Sequence, residues 1–152
     1  PTVDYILVPI GGGGLITGIG LAAKHVKPGI EVIGVQTEAC PAMAKSLRDK
    51  ICYEEFPVQD SLCDAFVGGV FRLAYEMAGQ CMDDVLVVTE KNIAAATARL
   101  LADEKVFAEP SSAVGIAALT QFPQRFRGRN VAVVVSGGNI DKELMKRLIL
   151  ES

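Results

Sequence analysis

YILVPIGGGGLITGIG, residues 5–20, is the stretch whose reading decides the fold. An apolar run of strand length enters four consecutive glycines, and a helical pattern follows. Glycine loses more backbone freedom on folding than any other residue, so four in a row are costly. A tight turn packing a helix onto a strand asks for one or two. The others point to something that must approach the main chain closely. Successive N–H groups without Cβ atoms converge on an anion, and the helix that follows aims its positive end at the same spot. No lysine or arginine follows until Lys24, so backbone amides do the binding. That suits a phosphate ester held as an anchor.

Nucleotide loops of the usual kinds fail here. A Walker loop needs Gly-Lys-Ser/Thr at its end, and Leu15, Ile16 and Thr17 stand there. The dinucleotide fingerprint places its third glycine at Ile16 or Thr17. A plain nucleotide-binding domain is therefore disfavoured.

Outward from this stretch the chain alternates strands and helices. Strands are predicted over residues 5–10, 31–37, 85–88 and 130–135. Helices are predicted over 15–25, 41–50, 71–80, 91–103, 111–122 and 141–151. Thr89 reads as an N-cap, with Asn92 at the capping-box position. Residues 51–70 are the least periodic part and read as loop, turning at Gly68-Gly69. The strands are apolar throughout, as in strands covered on both sides. The pattern predicts an α/β domain in three layers, a mostly parallel sheet with helices on both faces.

A second glycine loop, Ser136-Gly137-Gly138-Asn139, follows the last strand. Ligands of open α/β sheets sit beyond the carboxyl ends of strands, where both loops fall. Ser136 offers one hydroxyl there, able to meet a ring heteroatom. A plain turn is the competing reading.

Half of the 152 residues are hydrophobic and 22% are charged, enough for a sizeable core and against disorder. The apolar excess is surface for partner chains, predicting a homo-oligomer, or for a missing part of the protein. A net charge of -3 and no basic run give no nucleic-acid footprint. No apolar run is long enough for a membrane helix, so no membrane partner is predicted. Cys40, Cys52, Cys63 and Cys81 form no Cys-x-x-Cys pair, and His25 is the only histidine. Zinc sites and most nucleophile–histidine triads drop out. Reduced thiols in a cytoplasmic protein are expected. The start at Pro1-Thr2, close to the first strand and without a signal peptide, predicts a cut through a longer protein.

VPIGGGGLITG (8–18), EVIGVQTE (31–38), DDVLVVTE (83–90), FAEPSSAVGIAAL (107–119) and VVVSGGNID (133–141) occur in that order. Together they resemble the C-terminal part of the serine/threonine dehydratases. These are fold-type II enzymes that use pyridoxal 5'-phosphate, and the four-glycine loop favours their threonine ammonia-lyase and serine racemase branch. The resemblance covers nearly the whole chain, one partial domain. It implies that Gly11, Gly12, Gly13, Gly14 and the N–H of Leu15 cup the cofactor phosphate. Ser136 would hydrogen-bond the pyridine nitrogen, leaving it unprotonated, which suits β-elimination. Glu109 would be an acid near the ring; the plain alternative is a helix-start acid before Pro110.

The sequence departs from that pattern. Cys63-Asp64-Ala65-Phe66 stands where the family has Ala-Asp-Gly. Gln36 stands at the position of the acid through which some members bind a divalent cation, with Cys40 and Ala42 beyond it, so no metal is predicted, with Glu38 near by. The Schiff-base lysine of the family lies in Ser-x-Lys-x-Arg-Gly. None of Lys24, Lys27, Lys45, Lys50, Lys91, Lys105, Lys142 and Lys146 precedes x-Arg-Gly. The resemblance thus implies a parent that converts L-threonine or L-serine to a 2-oxo acid and ammonia. No catalytic residue is assigned to the present chain, and no turnover is expected of it. Two other readings stay open: another fold-type II synthase or ammonia-lyase, and a non-catalytic phosphate-ligand or interaction module.

Overall fold

The computed structural model describes residues 2–151. Pro1, where the sequence predicted a cut, lies outside them, as does Ser152. Four strands form one parallel sheet: β1 (Tyr5–Pro9), β2 (Glu31–Thr37), β3 (Asp84–Val88) and β4 (Val131–Val133), in the order β3-β2-β1-β4. Leu7 pairs with Ile33 on one side and Val133 on the other.

Alternate residues of each strand point to opposite faces, so the sheet divides two cores. Tyr5, Leu7, Ile33, Val35 and Val88 face α5 (Glu90–Ala102) and α6 (Pro110–Gln121). Val8, Ile10 and Val32 face the side of α1 (Gly14–Val26), α2 (Ala42–Asp49), α3 (Arg72–Glu76) and α4 (Ala78–Cys81). A short α7 (Pro123–Phe126), not foreseen in the sequence, carries Phe126 edge-on to Tyr5 at 5.3 Å. The last helix, α8 (Lys142–Leu150), packs on α5.

Several expectations need correction. The helix expected over 71–80 is two pieces, α3 and α4, separated at Met77. This break accompanies a close approach: a Cβ on Gly20 of α1 would lie 1.9 Å from the Cys81 carbonyl oxygen. The last strand stops at Val133 instead of Val135. Its ladder runs through Val134 N–H to the Leu7 carbonyl. The next bond would need an N–H on residue 9, which is proline. Only β1 and β2 are deeply buried; β3 and β4 are edges and half-covered. Thr89 does cap α5, accepting the Asn92 amide at 3.3 Å. The reciprocal bond comes from elsewhere, because Gln121 Oε1 takes the Thr89 amide at 3.0 Å.

Candidate cofactor-binding site

The connection from β3 to β4 passes over two strands, while that from β1 to β2 goes the opposite way. The crevice between the carboxyl ends of β1 and β4 is thus a topological switch point, the place where such sheets hold ligands. A cleft of about 150 Å³ lies there, lined by Gly11, Gly12, Gly13, Gly14, Leu15, Ala65, Phe66, Glu109, Ser111 and Ser136. The two glycine loops, remote in sequence, meet in it. A neighbouring cleft of about 480 Å³ shares Ala65 and Glu109 and adds Asp64, Gly137, Gly138 and Asn139.

The glycine loop is shorter than the sequence implied. Gly14 already belongs to α1, and Gly13 is its N-cap with φ of +96°. Protein packing also asks for more glycines than the one or two expected. A Cβ at Gly11 would meet the Ala65 carbonyl oxygen at 2.8 Å. One at Gly12 would meet the Phe71 ring at 2.6 Å, and one at Gly13 the Ala74 Cβ at 2.6 Å. Gly14 differs: a Cβ there would touch nothing within 4 Å. Within the chain neither contact nor φ demands glycine at 14, and the position opens on the cleft.

The amides near this point are unspent. Thr17 N–H is the first of the helix to find an acceptor, the Gly13 carbonyl at 3.1 Å. Among the described residues, the N–H groups of residues 11–16 donate to nothing. The start of α6 lines the same cleft through Ser111, so two helix N-termini bring partial positive charge to it.

The second loop is fixed to the start of α6. Gly137 N–H donates to Ser112 Oγ at 2.7 Å, Glu109 N–H to the Gly137 carbonyl at 3.1 Å, and Asn139 N–H to Glu109 Oε2 at 2.9 Å. Glu109 is therefore both a helix-start acid and a wall of the cleft. Ser136 lies three residues beyond β4, not at the end of a buried strand. It is exposed, and its hydroxyl makes no side-chain hydrogen bond among the described residues.

Behind the cleft, Ser111 Oγ is buried beside the Cys63 thiol and makes no hydrogen bond of ordinary geometry. Burial pushes the Cys63 thiol up to about 12, and the nearby Glu90 charge adds to the effect. None of the lysines lines either cleft. Gln36, at a family cation position, is used otherwise: Oε1 accepts the Met43 and Ala44 amides at 2.9 and 3.1 Å, capping α2. Sequence reasoning missed Ser112, Ser111 and Glu90. The Ala65–Phe66 wall carried a signal, as part of the Cys63-Asp64-Ala65-Phe66 departure from the family segment.

The family model for pyridoxal-phosphate dependent enzymes matches residues 1–137, and the chain belongs to that family. It is 41% identical to the L-threonine ammonia-lyase of Thermotoga maritima over 150 residues, which is 98% of the chain and 37% of that protein. It is 37% identical to the catabolic L-threonine dehydratase of Escherichia coli over 143 residues, 91% of the chain and 43% of that protein. The fold superposes on maize serine racemase with a TM-score of 0.86 at 30% identity, covering 99% of the chain and 48% of that structure. The fold is thus that of the fold-type II pyridoxal-phosphate enzymes. The chain spans less than half the length of each of these relatives.

Proposed function

We propose that this chain is the phosphate-holding part of a threonine or serine dehydratase, and that it binds pyridoxal 5'-phosphate or its phosphate without turning substrate over. The observation that carries this reading is the set of unspent amides over residues 11–16, beside a Gly14 whose Cβ position no protein atom approaches. The residues fit the cofactor on structural grounds. The smaller cleft has room for a phosphate, the adjoining one has room for a ring, and Ser136 offers an uncommitted hydroxyl on the lining of the smaller cleft.

When bound, the cofactor supplies the electron sink that loosens bonds at an amino acid's α-carbon. In this reading the amides of Gly11, Gly12, Gly13, Gly14 and Leu15 hold the phosphate, aided by the α1 dipole. Ser136 Oγ donates to the ring nitrogen and delivers no full proton, because a hydroxyl is too weak an acid. The Glu109 carboxylate, held by Asn139 N–H, keeps the second loop and with it Ser136 at the cleft edge. In a family-length parent the reaction is loss of water and then ammonia from L-threonine or L-serine, giving a 2-oxo acid. The proton transfers of that reaction need a lysine, and the clefts here hold none. Four unpaired cysteines support a cytoplasmic setting. Exposed Val67, Phe71, Leu73 and Phe107 support an oligomer.

Titration calorimetry with pyridoxal 5'-phosphate and with inorganic phosphate tests the reading, followed by borohydride reduction and mass spectrometry. We expect saturable binding, no single-site pyridoxyl adduct and no 2-oxo acid from L-threonine. No binding of either ligand overturns the cup. One specific adduct with turnover overturns the inactivity. Equal affinity for phosphate and cofactor favours a general phosphate-ligand module over a cofactor site.

A further inference from the structure

The wall facing the glycine loop belongs to the long irregular segment between α2 and α3, and its hold on the fold is not local. Loops of this length without regular structure are uncommon in compact domains and are usually functional when ordered. Ala65 and Phe66 form the wall, within a single 3-10 turn (Asp64–Phe66). The Ala65 carbonyl oxygen would lie 2.8 Å from a Cβ on Gly11, so wall and glycine loop touch backbone to backbone. A shift of the wall therefore reshapes the cup.

Cys63 and Phe66 anchor the wall in the core beside α6, and one carboxylate gathers the side-chain hydrogen bonds that hold its approach. Glu90, the first residue of α5, turns its side chain back across the end of the sheet. Its Oε1 accepts the Ser61 hydroxyl at 2.8 Å and the Thr37 hydroxyl; Oε2 accepts the Leu62 amide at 2.8 Å. Ser61 Oγ in turn accepts the Cys63 amide at 3.0 Å, and the Cys63 carbonyl accepts the Phe66 amide at 3.0 Å. The line of bonds thus runs from Glu90 through residues 61–63 to the turn at Phe66. Hydrogen bonds to a charged acceptor are the stronger kind.

We propose that Glu90 is a positioning residue for the phosphate cup, acting through the 61–66 wall rather than by touching the ligand. The proposal rests on the cup reading given above. Its test is built so that the two can fail separately.

The experiment measures amide exchange by mass spectrometry and pyridoxal 5'-phosphate affinity by calorimetry. The proteins are the 152-residue chain, Glu90→Ala, Ser61→Ala and Glu38→Ala. Glu38 Oε1 accepts the Glu90 amide at 3.0 Å, so Glu38→Ala disturbs the same helix start without touching the wall. In Glu90→Ala the amides of Leu62, Cys63 and Phe66 should exchange at least roughly tenfold faster, and affinity should fall about tenfold, while β1 and β2 stay protected. Ser61→Ala should move both readouts in the same direction by less. Glu38→Ala should move neither. Unchanged exchange at the wall overturns the proposal. So does an equal loss of protection through β1 and β2, which marks a merely structural role, or an affinity that stays constant when the wall opens. If Glu90→Ala does not fold, Ser61→Ala decides. If the unaltered chain takes up no cofactor, the cup reading falls, and the exchange data alone decide whether Glu90 holds the wall.

Discussion

The amide of Asn139 donates to the Glu109 carboxylate at 2.9 Å, joining the second glycine loop to the start of α6. This contact explains why the loop is glycine-rich at 137, where a Cβ would lie 2.6 Å from Glu109 Oε1. Glu109→Ala should loosen the loop and cost about 1–2 kcal/mol in urea unfolding, as expected for loss of a partly exposed charged hydrogen bond. Glu109→Gln keeps an acceptor oxygen and should cost less than half as much. Equal losses would show that the acceptor does not matter.

Neighbouring glycines should separate stability from binding. Gly13→Ala forces a side chain into φ of +96° and against Ala74, so unfolding free energy should drop by about 2 kcal/mol or more. Gly14→Ala meets no protein atom and sits in a helical first turn, so stability should change by under about 0.5 kcal/mol. Its methyl group would enter the cleft where the proposed function puts the phosphate, and cofactor affinity should then fall about tenfold or more, which is roughly 1.4 kcal/mol. A Gly14→Ala protein that binds as tightly as the original would remove the anchor from this loop.

Gly20 sets helix propensity against packing. By propensity alone, alanine should stabilise α1 by about 1 kcal/mol. The new Cβ would stand 1.9 Å from the Cys81 carbonyl, and backbone cannot swing aside as a side chain does. Gly20→Ala should therefore destabilise by about 3 kcal/mol or more, read by denaturant midpoint. A stabilised variant would show that α1 and α4 are not packed this closely.

Alkaline pH should expose the buried thiol. Cys63 is raised from 9.0 to about 12 by burial first and the Glu90 charge second. The folded protein then keeps a proton that the unfolded chain releases, so stability is whole below pH 9.0 and declines as pH rises towards about 12. The decline from this group approaches about 1.4 kcal/mol per pH unit. Cys63→Ala should flatten the slope by that amount, with the other raised thiols, Cys40, Cys52 and Cys81, left as background. Thiol titration at pH 8 should label half-buried Cys52 first and Cys63 only on unfolding.

The sequence made the alternation of strands and helices legible because continuous apolar runs bounded by glycine and proline are a local signal. The two glycine loops were legible as ligand positions for the same reason. What stayed hidden depends on contacts between distant segments. Met77 breaks a helix whose local pattern runs on. Pro9 shortens a strand distant in the sequence by withholding one N–H from the ladder. Three of the four glycines answer to Ala65, Phe71 and Ala74, so the tetraglycine owes more to its neighbours than its ligand chemistry implied. Glu90 and Ser112 read as ordinary helix-start polar residues until the fold brings their partners to them.

The phosphate cup proposed for residues 11–16 would be written entirely in main chain. No side-chain substitution deletes an N–H, short of proline, and amides do not titrate in the physiological range. Its affinity for a phosphate should therefore follow the ionisation of the phosphate, with Glu109 as the titratable side chain lining the same cleft. Such a grip is inherited with the backbone path and survives whatever happens to the reactive groups around it. In the proposed reading handle and reaction are separable parts, and a chain of this kind can keep the first where it does not carry the second.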